Sequence, residues 1–148
     1  MIKVVDTLFS KLPAQFGVSK ASQACVASQL LMEDTTNGVV IPATSSVSTL
    51  TVLGVGSKTY TEGGSNVLNG IKYEPVITGA VFVVADCTNV TAANQLHKNH
   101  LMTDGQNVNN TSTTNTSLNG VFHALGIVGA VGGTKLYGYF IRSGQVTV

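Results

Sequence analysis

PVITGAVFVVAD, residues 75–86, is a run of apolar and β-branched side chains relieved only by Thr78 and Gly79 and closed by Asp86. Its Val and Ile content favours extended backbone, and a continuous apolar run of this kind suits a strand covered on both faces. The segment VSTLTVLGV, 47–55, alternates small polar with apolar residues, the period-2 mark of a sheet with one buried face. TKLYGYFIR, 134–142, and QVTV, 145–148, add further strand chemistry, with Tyr137 and Tyr139 two apart on one face. The turns agree. Asn-Gly occurs at Asn37-Gly38, Asn69-Gly70 and Asn119-Gly120, each ahead of a strand-like segment, and Asp104-Gly105 adds a fourth signal. Asn-Gly suits tight hairpins whose central residues need positive φ. The expected fold is all-β, a small antiparallel barrel or sandwich.

The N-terminal part reads differently. SKASQACVASQLLME, 19–33, places Ala21, Cys25, Val26 and Leu30 near helical spacing behind Ser19 as an N-cap, which predicts a short helix. Before it, Pro13 and Gly17 break LFSKLPAQFGV into short pieces, and Phe9, Leu12 and Phe16 have little local structure to bury them. Residues 1–17 are therefore expected as an extended arm that docks on a partner, the alternative being an arm folded back on its own domain. Two regions follow: arm and short helix over 1–33, β domain over 34–148.

With 148 residues the chain is sized for one domain that needs neither metal nor disulfide to fold. Charged residues make up 10%, against roughly 25% in ordinary soluble domains. The eight cations form no run, so the phosphate-binding stripe of a nucleic-acid protein is missing. No stretch approaches the roughly 18 apolar residues of a membrane span, and Asp6 and Lys11 interrupt the early apolar run MIKVVDTLF, unlike a secretory signal. Mean hydropathy is nevertheless +0.28. A low-charge, moderately apolar surface implies that other protein covers much of it. Met102 to Phe122 is rich in Thr, Asn and Ser without one Lys or Arg, and reads as a long loop or exposed edge strands that hydrogen-bond through neutral groups. The N-x-S/T triplets starting at Asn89, Asn109, Asn110 and Asn115 follow from that bias.

Catalytic and metal motifs are weak. His97 and His100, with Asp104 four beyond, could bring both imidazoles to one face if TAANQLHKNH forms a helical turn capped by Thr91, but no third ligand is specified and two surface histidines explain the pattern better. His123 reads as a half-buried strand histidine. No G-x-S-x-G elbow or G-x-G-x-x-G turn occurs, and GAVGGTK, 129–135, reverses the Lys-Thr order of a P-loop. Cys25 and Cys87 read as two buried thiols. No enzymatic activity and no cofactor are expected.

Small size, β-rich pattern, low charge, a Gly/Thr/Val/Ala bias and an N-terminal arm together resemble the decoration, or cement, proteins of tailed-phage capsids. The resemblance implies a small β-barrel or β-tulip protein, a virion component made in the host cytoplasm. It would be a homo-oligomer, in that family often a trimer, bound to the major capsid protein on the outside of the shell. Phe9, Leu12 and Phe16 would then be arm residues that reach a partner. The competing expectation is a β-sandwich binding module of a fibre or cell-surface protein.

Overall fold

The run at 75–86 is divided by its glycine. Gly79 takes a φ of +73°, and the chain reverses there between two strands, β6 (Val67–Pro75) and β7 (Val81–Cys87). In the computed structural model, which describes residues 1–8, 12–34, 36–44, 52–110 and 121–141, β7 is an interior strand of a six-stranded sheet. It pairs antiparallel with β1 (Ile2–Thr7) on one side and β11 (Lys135–Phe140) on the other. Its side chains alternate strictly. Val81, Val83, Ala85 and Cys87 are buried while Phe82, Val84 and Asp86 are half-exposed, so the strand is not covered on both faces as its composition suggested.

The sheet continues from β11 through β10 (Phe122–Ile127) and β8 (Asn99–Met102) to β9 (Asn107–Asn109). It curls back on itself, because β9 pairs in parallel with the end of β7 at Asp86↔Asn107 and Cys87↔Val108. The remaining strands, β2 (Gln15–Ser19), β3 (Leu30–Asp34), β4 (Val39–Pro42), β5 (Val52–Gly56) and β6, form a closed barrel in the order β2-β4-β3-β5-β6. The all-β barrel architecture read from the turns and periodicity is present.

Leu30, Leu31 and Met32 explain how the two sheets join. Leu30 and Met32 belong to the main core with Ile2, Val83, Phe122, Leu136 and Phe140 of the six-stranded sheet. Leu31, between them, belongs to a second cluster with Cys25, Val40, Ile71 and Tyr73. That cluster fills the barrel, so β3 is buried on both faces, one towards the barrel interior and the other towards the sheet.

The same packing removes the expected helix. Ser19 is the buried last residue of β2, and its Oγ donates to the Tyr60 hydroxyl and accepts from the Val67 amide, each at 3.0 Å. Ser22 and Ser28 have φ of +59° and +65°, which no right-handed helix contains. Cys25 instead forms a β-bridge with Tyr60. Residues 1–33, expected as an arm and a short helix, supply β1 to one sheet and β2 and most of β3 to the barrel. The boundary at 33/34 therefore does not separate an arm from a domain. The alternative, folding back, is what the strands do.

The Asn-Gly turns divide in three ways. Gly38 lies at φ +64° in the β3–β4 turn, where Asp34 receives the Asn37 side-chain amide and the Thr36 N–H. At Asn69-Gly70 it is Asn69 that takes the positive φ, +55°, inside β6. There Gly17↔Ile71 and Ser19↔Val67 leave four steps of β6 (71 − 67) opposite two of β2 (19 − 17), a bulge that brings Gly70 against Ser19. Asn119-Gly120 lies outside the described residues. A Cβ at Gly38 would meet nothing within 4 Å, so only backbone strain opposes substitution. Gly38→Ala should cost about 1 kcal/mol, roughly 2–4 °C in melting temperature. A scan that shows no change would mean this turn does not hold the left-handed conformation.

Candidate docking surface

The outer face of the six-stranded sheet carries a row of rings. Alternation in β7 turns Phe82 away from the core, and alternation in β11 turns Tyr137 and Tyr139 the same way while Leu136 and Phe140 point in. The register then sets the order across the strands. Asp6 of β1 stands opposite Phe82, Tyr139 opposite His123 of β10, and His123 opposite Asn99 of β8. Ring centroids confirm the contacts: Phe82 to Tyr137 at 5.9 Å, stacked; Phe82 to Tyr139 at 6.0 Å, edge-on; His123 to Tyr139 at 5.2 Å. Each ring is half-exposed. Aromatic pairs at these spacings add about 0.5–1.5 kcal/mol beyond the area they bury. They also present a wide, preformed apolar surface of the kind enriched at interface centres.

Charge lies at the margins of this row. Asp6 is at one end, and Asp86 sits along β7 between the Lys135 ammonium and the Met1 nitrogen, 2.8 Å from the latter. Partial burial would raise the Asp86 carboxyl, but hydrogen bonds from Lys135 and the N-terminus outweigh it and hold the pKa below the usual carboxylate range. His123 is also lowered, which for an imidazole favours the neutral form. Burial, then repulsion from His97 and His100, lowers its pKa below 6.5. Its Nδ1 lies 2.7 Å from Asn99 Oδ1, which only accepts, so this nitrogen carries the hydrogen.

A pH dependence follows. The unfolded chain protonates His123 near pH 6.5 and the folded chain only at lower pH, so the unfolded state binds more protons between the two values. Stability is fully present above about 6.5 and is lost as pH falls through that window. Denaturation midpoints measured from pH 7.5 to 5 should decline, and His123→Phe, which keeps a ring against Tyr139, should flatten the decline. Equal slopes in parent and variant would assign the acid sensitivity elsewhere.

Leu12 and Phe16, expected to reach a partner, lie apart from this row. Leu12 packs partly buried against the main core. With Val4, Thr7, Glu74, Pro75 and Val81 it lines a narrow cleft, beside a shallow groove of about 360 Å³ along β1. Phe16 is 54% exposed on β2, with the Lys72 ammonium 6.0 Å from its ring centroid. Phe9 lies outside the described residues. Among those described, Val5 on β1 and Leu8 just after it add exposed apolar surface, Val5 being the extra residue of a bulge between Val4 and Asp6.

The histidine pattern takes a different form from the expected helical turn. Only Ala93–Gln95 is helical, a single 3-10 turn, and Thr91 does not cap it. Gln95 accepts from the Ala92 amide through its side chain instead. His97 is exposed with φ +58°, and His100 is fully buried in β8 with Nε2 2.8 Å from the Gln95 carbonyl. Asp104 caps its own turn, accepting the amides of Gln106 and Asn107. Among the described residues no three His, Cys, Asp or Glu side chains gather as a metal would need. Cys25 and Cys87 are free, buried thiols in separate clusters, each pushed up to about 11 by burial.

Part of the neutral tract is interior. Asn110 is fully buried, and its side chain accepts from the Asn89 amide and donates to the carbonyls of Asn89 and Val90 and to Gln95 Oε1. A neutral amide makes these bonds without the desolvation cost of a charge. Residues 111–120 of the tract lie outside the described residues. Phe82 is the surface residue that composition hid, since it sits within an apolar run that reads as core. Its signal was the period-2 position shared with Val84 and Asp86. Among the described residues no helix is long and apolar enough to cross a membrane. Comparison with family models, with curated proteins and with solved structures finds no match for the chain.

Proposed function

We propose that the chain is a capsid decoration protein of a tailed phage, a homotrimer that binds the major capsid protein on the outside of the shell and reinforces it. The aromatic row Phe82–Tyr139–His123, with Tyr137 beside it, is the observation that carries this reading. It offers preformed apolar contact on a chain with only 10% charged residues. Such a surface favours association, and symmetric closure stops association at a defined size. A trimer on a shell engages several capsid neighbours at once. Each further contact forms at high effective concentration, so individually weak apolar contacts suffice. Attachment of this kind depends little on salt.

The reading expects a major capsid protein gene beside the gene for this chain, and a trimer by light scattering. Shells assembled from that capsid protein should carry the chain through sedimentation at low and high salt alike. Tyr139→Ala, and Phe82→Ala beside it, should each weaken retention by about tenfold or more, the effect of losing an interface anchor. A monomer that leaves such shells bare at every salt concentration would overturn the proposal and favour a free-standing β binding module of a fibre or cell surface.

A further inference from the structure

The barrel interior is filled at one end and open at the other. At the filled end the Cys25–Tyr60 bridge and the Ser19–Tyr60 hydrogen bond close it over Leu31 and Ile71. At the other end a cavity of about 290 Å³ is lined from all five strands, with Gly17, Val40, Leu53 and Tyr73 as its walls and Phe16 and Glu33 at its rim. The mouth of a small barrel is a usual place for a small-molecule site, and this volume lies near the lower end of the range for such pockets, roughly 300 Å³.

The lining is selective. Strand alternation puts Glu33 on the same side of β3 as Leu31, which faces the barrel interior, so the carboxylate belongs to the cavity. The described ion pairs do not include Glu33. Its neighbour Asp34 is occupied by Lys20, at 3.7 Å, and by its own turn. One carboxylate, the Tyr73 ring and aliphatic walls form a site for a cation with an apolar body. The carboxylate supplies the counter-charge, and ring faces attract ammonium groups. Phe16 is paired with Lys72, on the opposite side of the strands from Ile71 and Tyr73, and holds the Lys72 ammonium 6.0 Å from its ring centroid.

From this cavity we infer a binding site for a small alkylammonium compound at the mouth of the barrel, with Glu33 as its counter-ion and Tyr73 as its aromatic wall. The site is independent of the aromatic row on the other sheet and of any capsid partner. Its occupant enters with the ammonium towards Glu33 and the alkyl body against Val40 and Leu53.

Amide chemical shifts of the full chain, titrated with n-butylammonium, n-butanol and Nα-acetyl-lysine amide, test it. Butylammonium should give saturable shifts at Gly17, Glu33 and Val40, and butanol should not. Glu33→Gln should weaken butylammonium by roughly three- to tenfold with the melting temperature retained, the loss expected for a half-buried ammonium–carboxylate pair. Binding of the lysine amide as tightly as butylammonium would assign the site to a lysine side chain of a partner, and weaker binding to a free amine. Either result keeps the cation site. Equal shifts from butanol and butylammonium, or unchanged affinity in Glu33→Gln, would overturn it.

Discussion

Removing residues 1–17 should abolish cooperative folding. β1 supplies the fully buried Ile2 to the main core and the whole antiparallel edge against β7, from Ile2↔Ala85 to Thr7↔Val81. β2 closes the barrel between β4 and β6, and three of its five residues, Gln15 to Gly17, fall within the deletion. Truncation would expose the backbone of β7, uncover the core above Val83 and Ala85, and open the barrel. Ile2→Ala alone should cost about 2–5 kcal/mol, since the buried side chain leaves a cavity that the sheet only partly fills. Domains of this size have about 5–15 kcal/mol of net stability, so the full deletion exceeds what the fold holds in reserve. Circular dichroism and a thermal scan give the result directly. A truncated chain that keeps its strand signal and melts cooperatively within a few degrees of the parent would show that these residues are a peripheral arm after all.

Gly138→Ala should be nearly as damaging, for a steric reason. A Cβ at Gly138 would stand 2.0 Å from the His123 carbonyl oxygen and 2.8 Å from Phe122 Cζ. Neither can yield cheaply. The carbonyl is backbone of the neighbouring strand, and Phe122 is a fully buried ring packed edge-on against Phe140 at 5.5 Å. Relief requires β10 and β11 to separate where Ala124 pairs with Gly138, and overpacking of this kind costs about 3 kcal/mol or more. At roughly 2–4 °C per kcal/mol the melting temperature should fall by about 10 °C. Gly126, on the same hairpin, is the control. Its Cβ would meet only Tyr137 Cδ1 at 4.0 Å, so Gly126→Ala should stay within about 0.5 kcal/mol of the parent. Equal behaviour of the two variants would contradict the β10–β11 register, and with it the alignment of His123 and Tyr139 on the outer face.

The sequence by itself determined the fold class. Period-2 alternation, β-branched content and tight-turn residues act over a few positions, and those local preferences persist in the folded chain as β5, β7, β11 and the Gly38 and Asp104 turns. The placement of Tyr137 and Tyr139 on one face was legible for the same reason. Three features were decided only by tertiary structure. The helical spacing over 19–33 lost to hydrogen bonds of Ser19 and Cys25 with Tyr60, forty-one and thirty-five residues away (60 − 19 and 60 − 25), which no local pattern announces. The N-terminal segment expected as an arm became β1 and β2 by backbone pairing with β7 and β6, with Ile2 buried in the main core and Phe16 left exposed. The candidate sites arose in the same way. Phe82, Tyr139 and His123 come from three separate strands, and so do Glu33, Leu53 and Tyr73. Phe82, Tyr139 and His123 read as ordinary strand in their own segments, whereas Glu33 fell at the end of the expected helix. Only strand register, fixed by burying one face of every strand in a shared core, sets these side chains beside one another.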